Sequence, residues 1–304
     1  MAELARGVYG VLATTFDERD NPHHPDLVAQ ADFVATTAQG VVWPVLASEF
    51  FKLRREEMAA GYAPVAEGVR GRVPFVAGVS QLTTADAVLL ADAARRAGAD
   101  AVIAMPPWMS RVTGDDLVRH FRAIAEVGVP IMLQNASDVS AFSAVSEADT
   151  RRVLDEVPEV VALKDEAPVL PQTITRGLGL MPADRGLVFG GGGGRFLLDE
   201  LGRGGAGNLA GACWADLLGA AYAKWTLGDR EGARWLHAAS LMGEMAIAAY
   251  RMPGVRYILR QRGITSSARG RFEADGALTE AALRELDAVL AQVRPALPWR
   301  SPED

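Results

Sequence analysis

Short apolar runs recur along the chain, each followed by an amphipathic stretch, and the step between them is nearly constant. Runs begin at Val8 (VYGVLATTF), Gly40 (GVVWPVL), Val73 (VPFVAGV), Ala101 (AVIAM), Pro130 (PIMLQ), Val160 (VVALK), Gly186 (GLVFG) and Gly205 (GAGNLAG), separated by 32, 33, 28, 29, 30, 26 and 19 residues. A step of about 30 is the length of one strand-plus-helix unit. The runs are apolar throughout rather than alternating, as parallel strands buried on both faces must be. Between them, Thr83 to Ala97, Asp116 to Val127, Asp149 to Val157 and Trp214 to Leu227 carry apolar stripes at helical spacing, the first with a Thr-rich start suited to capping and a stop at Gly98.

Eight such units predict an α/β fold, a (β/α)8 TIM barrel over residues 1–227. The 77 residues after Leu227 have helical spacing over Asp229 to Tyr250 and Thr279 to Val293. They predict a C-terminal helical appendage over 228–304, with RPALPWRSPED as a frayed tail. An open doubly wound sheet more often carries a glycine fingerprint after its first strand, and TTFDERDNPHH offers none.

Composition narrows the function. Of 304 residues, 31 are Lys or Arg and 38 Asp or Glu, for a net charge of −7, and no basic run stands out. Nucleic acid is therefore not an expected partner, since phosphate neutralisation needs a clustered basic face. No signal peptide or membrane-length apolar segment is visible, so a cytoplasmic protein is expected. The single cysteine, Cys213, cannot form an internal bridge or complete a multi-cysteine zinc site. His23, His24, His120 and His237 close no predicted strand and show no i, i+4 pairing, so neither a metal nor any other cofactor is expected. A small-molecule substrate becomes the expectation.

In a β/α barrel the site lies where the strands end. Lys164 ends VVAL, which puts an amine at the mouth of an apolar barrel. Desolvation there favours the neutral amine that attacks a ketone to form a Schiff base; alternatively the side chain simply leaves the core for solvent. Asp165 and Glu166 follow, each placed either to pair with the lysine or to lie in a solvated loop. Ser48 and Glu49 follow the second run, where Glu49 suits loop holding beside Phe50 and Phe51. Gln134 and Asn135 end the fifth run, where amides can orient a substrate oxygen. Gly190 to Gly194 close the seventh, exposing amides to an anion or merely leaving room, and Asn208 lies in the eighth.

Taken in order, GVLATTF (Gly10 to Phe16), ASEFFKLRREE, GRVPFVAGV (Gly71 to Val79), GADAVIAMPPW (Gly98 to Trp108), PIMLQN, VVALKDE and GDREGA resemble the dihydrodipicolinate synthase and N-acetylneuraminate lyase family of class I aldolases over essentially the whole chain. The resemblance implies a Schiff-base lysine at Lys164, a 2-oxo acid substrate, and homodimers or homotetramers, with Trp108 and Met109 near a dimer contact. The family's paired threonines fall on Leu46 and Ala47, its strand-five tyrosine on Gln134, the two tyrosines of its PYY pattern on Trp108 and Met109, and the synthases' arginine on Val139. These departures disfavour 4-hydroxy-tetrahydrodipicolinate synthase itself. Pro106 and Pro107, the IM-x-Q-x-A pattern of Ile131 to Ala136, the K-x-E-x-P pattern of Lys164, Glu166 and Pro168, and the Ser48 and Glu49 pair are similar to the L-2-keto-3-deoxyarabonate dehydratase branch.

The expectation is a lyase on a 2-oxo acid, a 2-keto-3-deoxy sugar acid, working by dehydration or retro-aldol cleavage. Lys164, Gln134 and Glu166 would be catalytic; Ser48, Glu49, Ala47, Asn135, Trp108, Gly190, Gly191 and Asn208 would bind substrate. The competing reading is an oxo-acid-binding barrel that has lost its proton relay. A phosphate-handling barrel isomerase rests on the glycine run alone.

Overall fold

The computed structural model describes residues 4–109, 111–136, 144–166, 168, 170–182, 186–272 and 278–300. Strands and helices alternate in the order β1 (Gly7–Val11), α1 (His24–Thr37), β2 (Gly40–Trp43), α2 (Arg55–Val69), β3 (Phe75–Gly78), α3 (Thr84–Arg96), β4 (Ala101–Ala104), α4 (Gly114–Ala125), β5 (Ile131–Ala136), α5 (Glu147–Glu156), β6 (Val160–Glu166), α6 (Gln172–Leu180), β7 (Leu187–Gly190), α7 (Leu197–Gly202), β8 (Gly207–Gly211) and α8 (Ala215–Thr226). Every strand pairs in parallel with the next, and β8 pairs with β1, closing a TIM barrel. Three further helices follow: α9 (Arg230–Ala248), α10 (Arg251–Gln261) and α11 (Glu280–Val293).

Closure demands glycine at the seam. Gly207 stands opposite Gly7 in the β1–β8 register, and a Cβ on Gly207 would lie 1.8 Å from the Gly7 carbonyl oxygen. Strand alternation then divides the core in two. Tyr9, Val11, Val42, Val76, Ile103, Met132, Ala162, Phe189 and Leu209 fill the barrel interior, while the intervening residues, such as Val8, Val41, Leu133, Leu163 and Val188, pack under the helices. The strands read as continuous apolar runs because both faces are covered.

Two features depart from the expectation drawn from sequence. The helix α10 forms where the sequence begins Arg-Met-Pro-Gly, a poor helical signal; its proline lies in the first turn, where no intrahelical N–H is missed. The tail is not frayed as far as Arg300: Trp299 stacks edge-on against Phe33 at 4.9 Å between centroids, and its backbone N–H donates to Asp216 Oδ2 at 3.4 Å.

Buried polar links fasten the C-terminal segment to the barrel. Arg262 bonds Asp216 (Nη2 to Oδ2, 2.7 Å), Arg271 bonds Glu57 through both its Nη atoms at 2.8 Å, and the Ser266 and Ser267 amides donate to Asp26 at 2.8 and 3.1 Å.

Candidate active site

The alternation that builds the barrel also sorts the polar residues at its rim. On β6, Ala162 lies in the interior core; Lys164 and Glu166, two and four residues on, share its face. On β5, Gln134 follows Met132 in the same way and stands opposite Lys164 in the strand register. Lys164 is 6% exposed, and its ammonium pairs with the Glu166 carboxylate. Gln134 Nε2 donates to Glu166 Oε2 at 3.2 Å, and the Gly192 amide donates to Glu166 Oε1 at 2.9 Å. Burial by itself would push the Glu166 carboxyl up, but the Lys164 charge and these three donors outweigh it and hold it below the ordinary carboxylate range. The site therefore rests with an ammonium and a carboxylate in contact.

These two groups line a cavity of about 270 Å³. Its walls are apolar, including Val11, Val45, Leu209, Ile247 and Val255, and Ala47, Gly192 and Gly193 also border it. Ala47 and Glu166 thus join Lys164 at one cavity, with Gln134 holding Glu166 from β5.

The other residues expected at the site lie elsewhere. Asn135 has the outward parity of β5: its Nδ2 donates to Asp165 Oδ1 at 3.1 Å and its Oδ1 accepts from the Val145 amide at 2.8 Å. Asp165 in turn is clasped by Arg176 of α6, so it is neither a partner of Lys164 nor a solvated loop residue. Asn208 also faces out, its Nδ2 donating to Glu200 Oε2 on α7 at 2.8 Å and to the Gly191 carbonyl at 3.0 Å. Glu49, at φ 57°, is held between Lys52 (2.7 Å) and Arg256 (2.6 Å), which is the loop-holding arrangement. Ser48 accepts from Thr14 Oγ1 through its carbonyl at 2.7 Å, while its own Oγ is buried without a partner among the described residues. Trp108 packs edge-on against Phe50 at 5.3 Å and is not among the residues lining the cavity. Val139 lies outside the described residues.

The glycine run leaves room for carboxylates. A Cβ at Gly190 would stand 2.1 Å from Glu200 Oε1, one at Gly191 1.9 Å from Glu166 Oε1, and one at Gly193 2.0 Å from Glu244 Oε1. The amide of Gly192 is taken by the protein's own Glu166 and so is not open to an anion.

Three polar or ionisable cavity residues had no place in the sequence-based site. Glu244 arrives from α9, Arg251 begins α10 in a left-handed conformation (φ 52°), and Cys213 follows β8. Burial pushes the Cys213 thiol up, so it is an uncharged wall residue rather than a nucleophile. The one sequence signal for Glu244 is a carboxylate next to Gly243 in a Met- and Ala-rich helix, too weak to place it. Among the described residues there is no cluster of His, Cys, Asp and Glu able to hold a metal, and no helix is long and apolar enough to cross a membrane.

Comparison with known proteins bears on the family and the fold. The 4-hydroxy-tetrahydrodipicolinate synthases of Bacillus subtilis (strain 168) and Aromatoleum aromaticum are 30% identical over 175 residues and 31% identical over 164 residues, covering 57% and 53% of this chain. The alignments span only 60% and 56% of those relatives' own lengths. A structure of a dihydrodipicolinate synthetase homologue from Pseudomonas aeruginosa superposes with a TM-score of 0.85 at 25% identity, covering 95% of this chain and 99% of that one. A prophage protein from E. coli K12, solved in complex with pyruvate, has the same fold with a TM-score of 0.85 at 20% identity, covering 96% of this chain and 99% of that one. The model of the dihydrodipicolinate synthetase family matches residues 4–292, nearly the whole of a chain whose strands close into a barrel, and the chain belongs to that family.

Proposed function

We propose that this protein is a lyase that binds a 2-oxo acid as a Schiff base on Lys164, with 2-keto-3-deoxy sugar acids as the substrate class and dehydration or retro-aldol cleavage as the reaction. The observation that carries the reading is a buried lysine at the end of β6, in contact with a carboxylate and open to an apolar cavity. For Lys164 to attack the C2 ketone its ammonium must first lose a proton, and Glu166 is the acceptor in contact with it. Loss of water then leaves an iminium, an electron sink for the carbanion or enamine at C3. The contact between Glu166 and Lys164 supports this exchange running through Glu166 without a tyrosine. Gln134, which has no proton to relay at neutral pH, positions Glu166 instead.

The relatives named 4-hydroxy-tetrahydrodipicolinate synthase invite that activity for this chain as well. Leu46, Ala47 and Gln134 offer none of the hydroxyls of a threonine and tyrosine relay, which argues against it. The same residues support the second reading, a barrel that binds an oxo acid without turning it over. We further infer assembly into homodimers or homotetramers by analogy with the family.

Borohydride reduction in the presence of pyruvate, followed by peptide mass analysis, tests the reading. The expected result is a reduced adduct on Lys164, absent in Lys164→Ala. No adduct across a panel of 2-oxo acids refutes it, and an adduct with no turnover of any keto-deoxy acid supports the binding barrel.

A further inference from the structure

The cavity holds a second carboxylate, and the chemistry so far gives it no work. Glu244 enters from α9, outside the eight β/α units, and its Oε1 lies against Gly193, where a Cβ would stand 2.0 Å away. Gly193 has a φ of 72°, open to glycine and strained for other residues. The loop thus offers Glu166 and Glu244 adjacent berths, on Gly191 and Gly193, yet treats them differently. Glu166 receives an ammonium, a backbone N–H and a carboxamide N–H. Glu244 makes no hydrogen bond or ion pair among the described residues.

The groups around Glu244 can be taken element by element. From the loop after β7, Arg195 acts on it through space while its Nε donates to the Gly192 carbonyl. From β6, Lys164 is engaged with Glu166; from the end of β8 comes the uncharged Cys213; and from α10 comes Arg251, at the cavity wall. On α9 itself, His237 Nε2 is bonded to the Gly194 carbonyl at 2.9 Å. Burial pushes the Glu244 carboxyl up to about 7, with Arg195 pulling the other way.

We propose that Glu244 is the general acid of this site, giving its proton to the C4 hydroxyl of a 2-oxo acid held on Lys164, and that the reaction is elimination of water rather than carbon–carbon cleavage. The inference rests on the Schiff-base reading above. It follows from what each reaction asks of two carboxyl groups. Elimination needs a base at C3 and an acid at the C4 oxygen; cleavage needs a base at the C4 hydroxyl. One carboxylate held by its donors, beside a second carboxyl that borders the same cavity and is pushed towards its protonated form by burial, is the first arrangement.

The step balances within the cavity. Glu166, as carboxylate, takes a C3 proton from the iminium, and the C3–H electron pair forms the enamine. The enamine electrons return to form the C3–C4 double bond as the C4–O bond breaks, and the departing oxygen takes the Glu244 proton and leaves as water. The product iminium is hydrolysed by water to release the unsaturated 2-oxo acid and free Lys164. Glu166 has gained a proton and Glu244 has lost one, and exchange with solvent resets both.

The test reads the mass of the borohydride-trapped Lys164 adduct after incubation with 2-keto-3-deoxypentonates and 2-keto-3-deoxyhexonates. Wild-type protein should give an adduct lacking one water for at least one of them. Glu244→Gln should give the intact adduct instead, with a rate of dehydration lower by about 10²–10⁴-fold, and should still form the pyruvate adduct on Lys164, which also shows that the variant is folded. The fall in wild-type turnover as pH rises through about 7 should disappear in Glu244→Gln. A wild-type adduct that keeps its hydroxyl with every sugar acid, an adduct that has shrunk to that of pyruvate by cleavage, or a Glu244→Gln variant that dehydrates as fast as wild type would each overturn the inference while leaving the Schiff base standing. No adduct of any kind would overturn both.

Discussion

Gly191→Ala acts first on the placement of Glu166. Gly191 has φ −150° and ψ −136°; the φ is open to any residue, the ψ lies beyond the extended region and asks a small backbone adjustment of alanine, and the main effect is that of the new Cβ. Its Cβ would stand 1.9 Å from Glu166 Oε1, 2.3 Å from Cδ and 2.8 Å from Cγ. Nothing can remain at those distances, and the group that yields is the far end of a side chain bordering a cavity. Glu166 must therefore swing away from the Gly192 amide, now 2.9 Å from Oε1, and from Lys164. A hydrogen bond to a charged group is worth about 1.5–3 kcal/mol, which corresponds to roughly a tenfold to hundredfold loss in the rate of Lys164 adduct formation with pyruvate. The same lost bonds cost stability, so the melting temperature should fall by only roughly 2–5 °C. The assay is the rate of borohydride-trapped adduct beside a thermal melt. A folded Gly191→Ala variant that traps pyruvate within about twofold of wild type would refute the assignment of Glu166 as the proton acceptor of Lys164.

Three other perturbations test the scaffold around the site. Arg256 is fully buried against Glu49, and Arg256→Met leaves that carboxylate to Lys52 alone, costing a hydrogen bond between charged groups of about 1.5–3 kcal/mol and lowering Tm by roughly 2–5 °C in a scanning melt; an unchanged Tm would mean the pair does not hold the C-terminal helices to the barrel. His120 is 2% exposed, and burial pushes it down to about 4 from 6.5. The unfolded chain binds that proton first, so stability falls as pH drops from about 6.5 towards 4, by on the order of 3 kcal/mol. Urea titrations of His120→Leu should show that loss removed, and an equal loss in both proteins would contradict the reasoning. Phe51 and Met109 are 59% and 72% exposed, and Phe51 stacks on Phe50, which stacks on Trp108. Wild-type protein should sediment as a dimer or larger, and the Phe51→Asp, Met109→Asp double variant should sediment lighter; a monomeric wild type ends that assignment.

Much of the fold is legible in one dimension because a parallel barrel repeats its physics. Each strand is buried on both faces, so VVALK, AVIAM and GVVW each declare a strand without reference to any other, and the near-constant step counts the units. Helices that start against a proline and a glycine break this local legibility. In α10, Pro253 and Gly254 read as helix breakers by propensity, yet the first turn and the packing of Arg256 against Glu49 override them. The tail reads as frayed because prolines recur in it, and only the face of Phe33 shows where Trp299 goes.

The site divides along the same line. A period of two residues already separates Lys164 and Glu166 from Asp165, and Gln134 from Asn135, because successive strand side chains must point to opposite faces. The residues alone left open which carboxylate meets the lysine, what the glycines accommodate, and whether Glu49 or Glu166 stands at the cavity. Those are questions of distance between elements far apart in the chain. The register of β5 against β6 sets Gln134 beside Lys164, and the loop after β7 brings Gly191 and Gly192 to Glu166. The helix α9, some 80 residues after Lys164, carries Glu244 to the same cavity. A strand's faces follow from its own backbone geometry, whereas the approach of α9 follows only from the closed barrel and the buried ion pairs that hold the C-terminal helices to it.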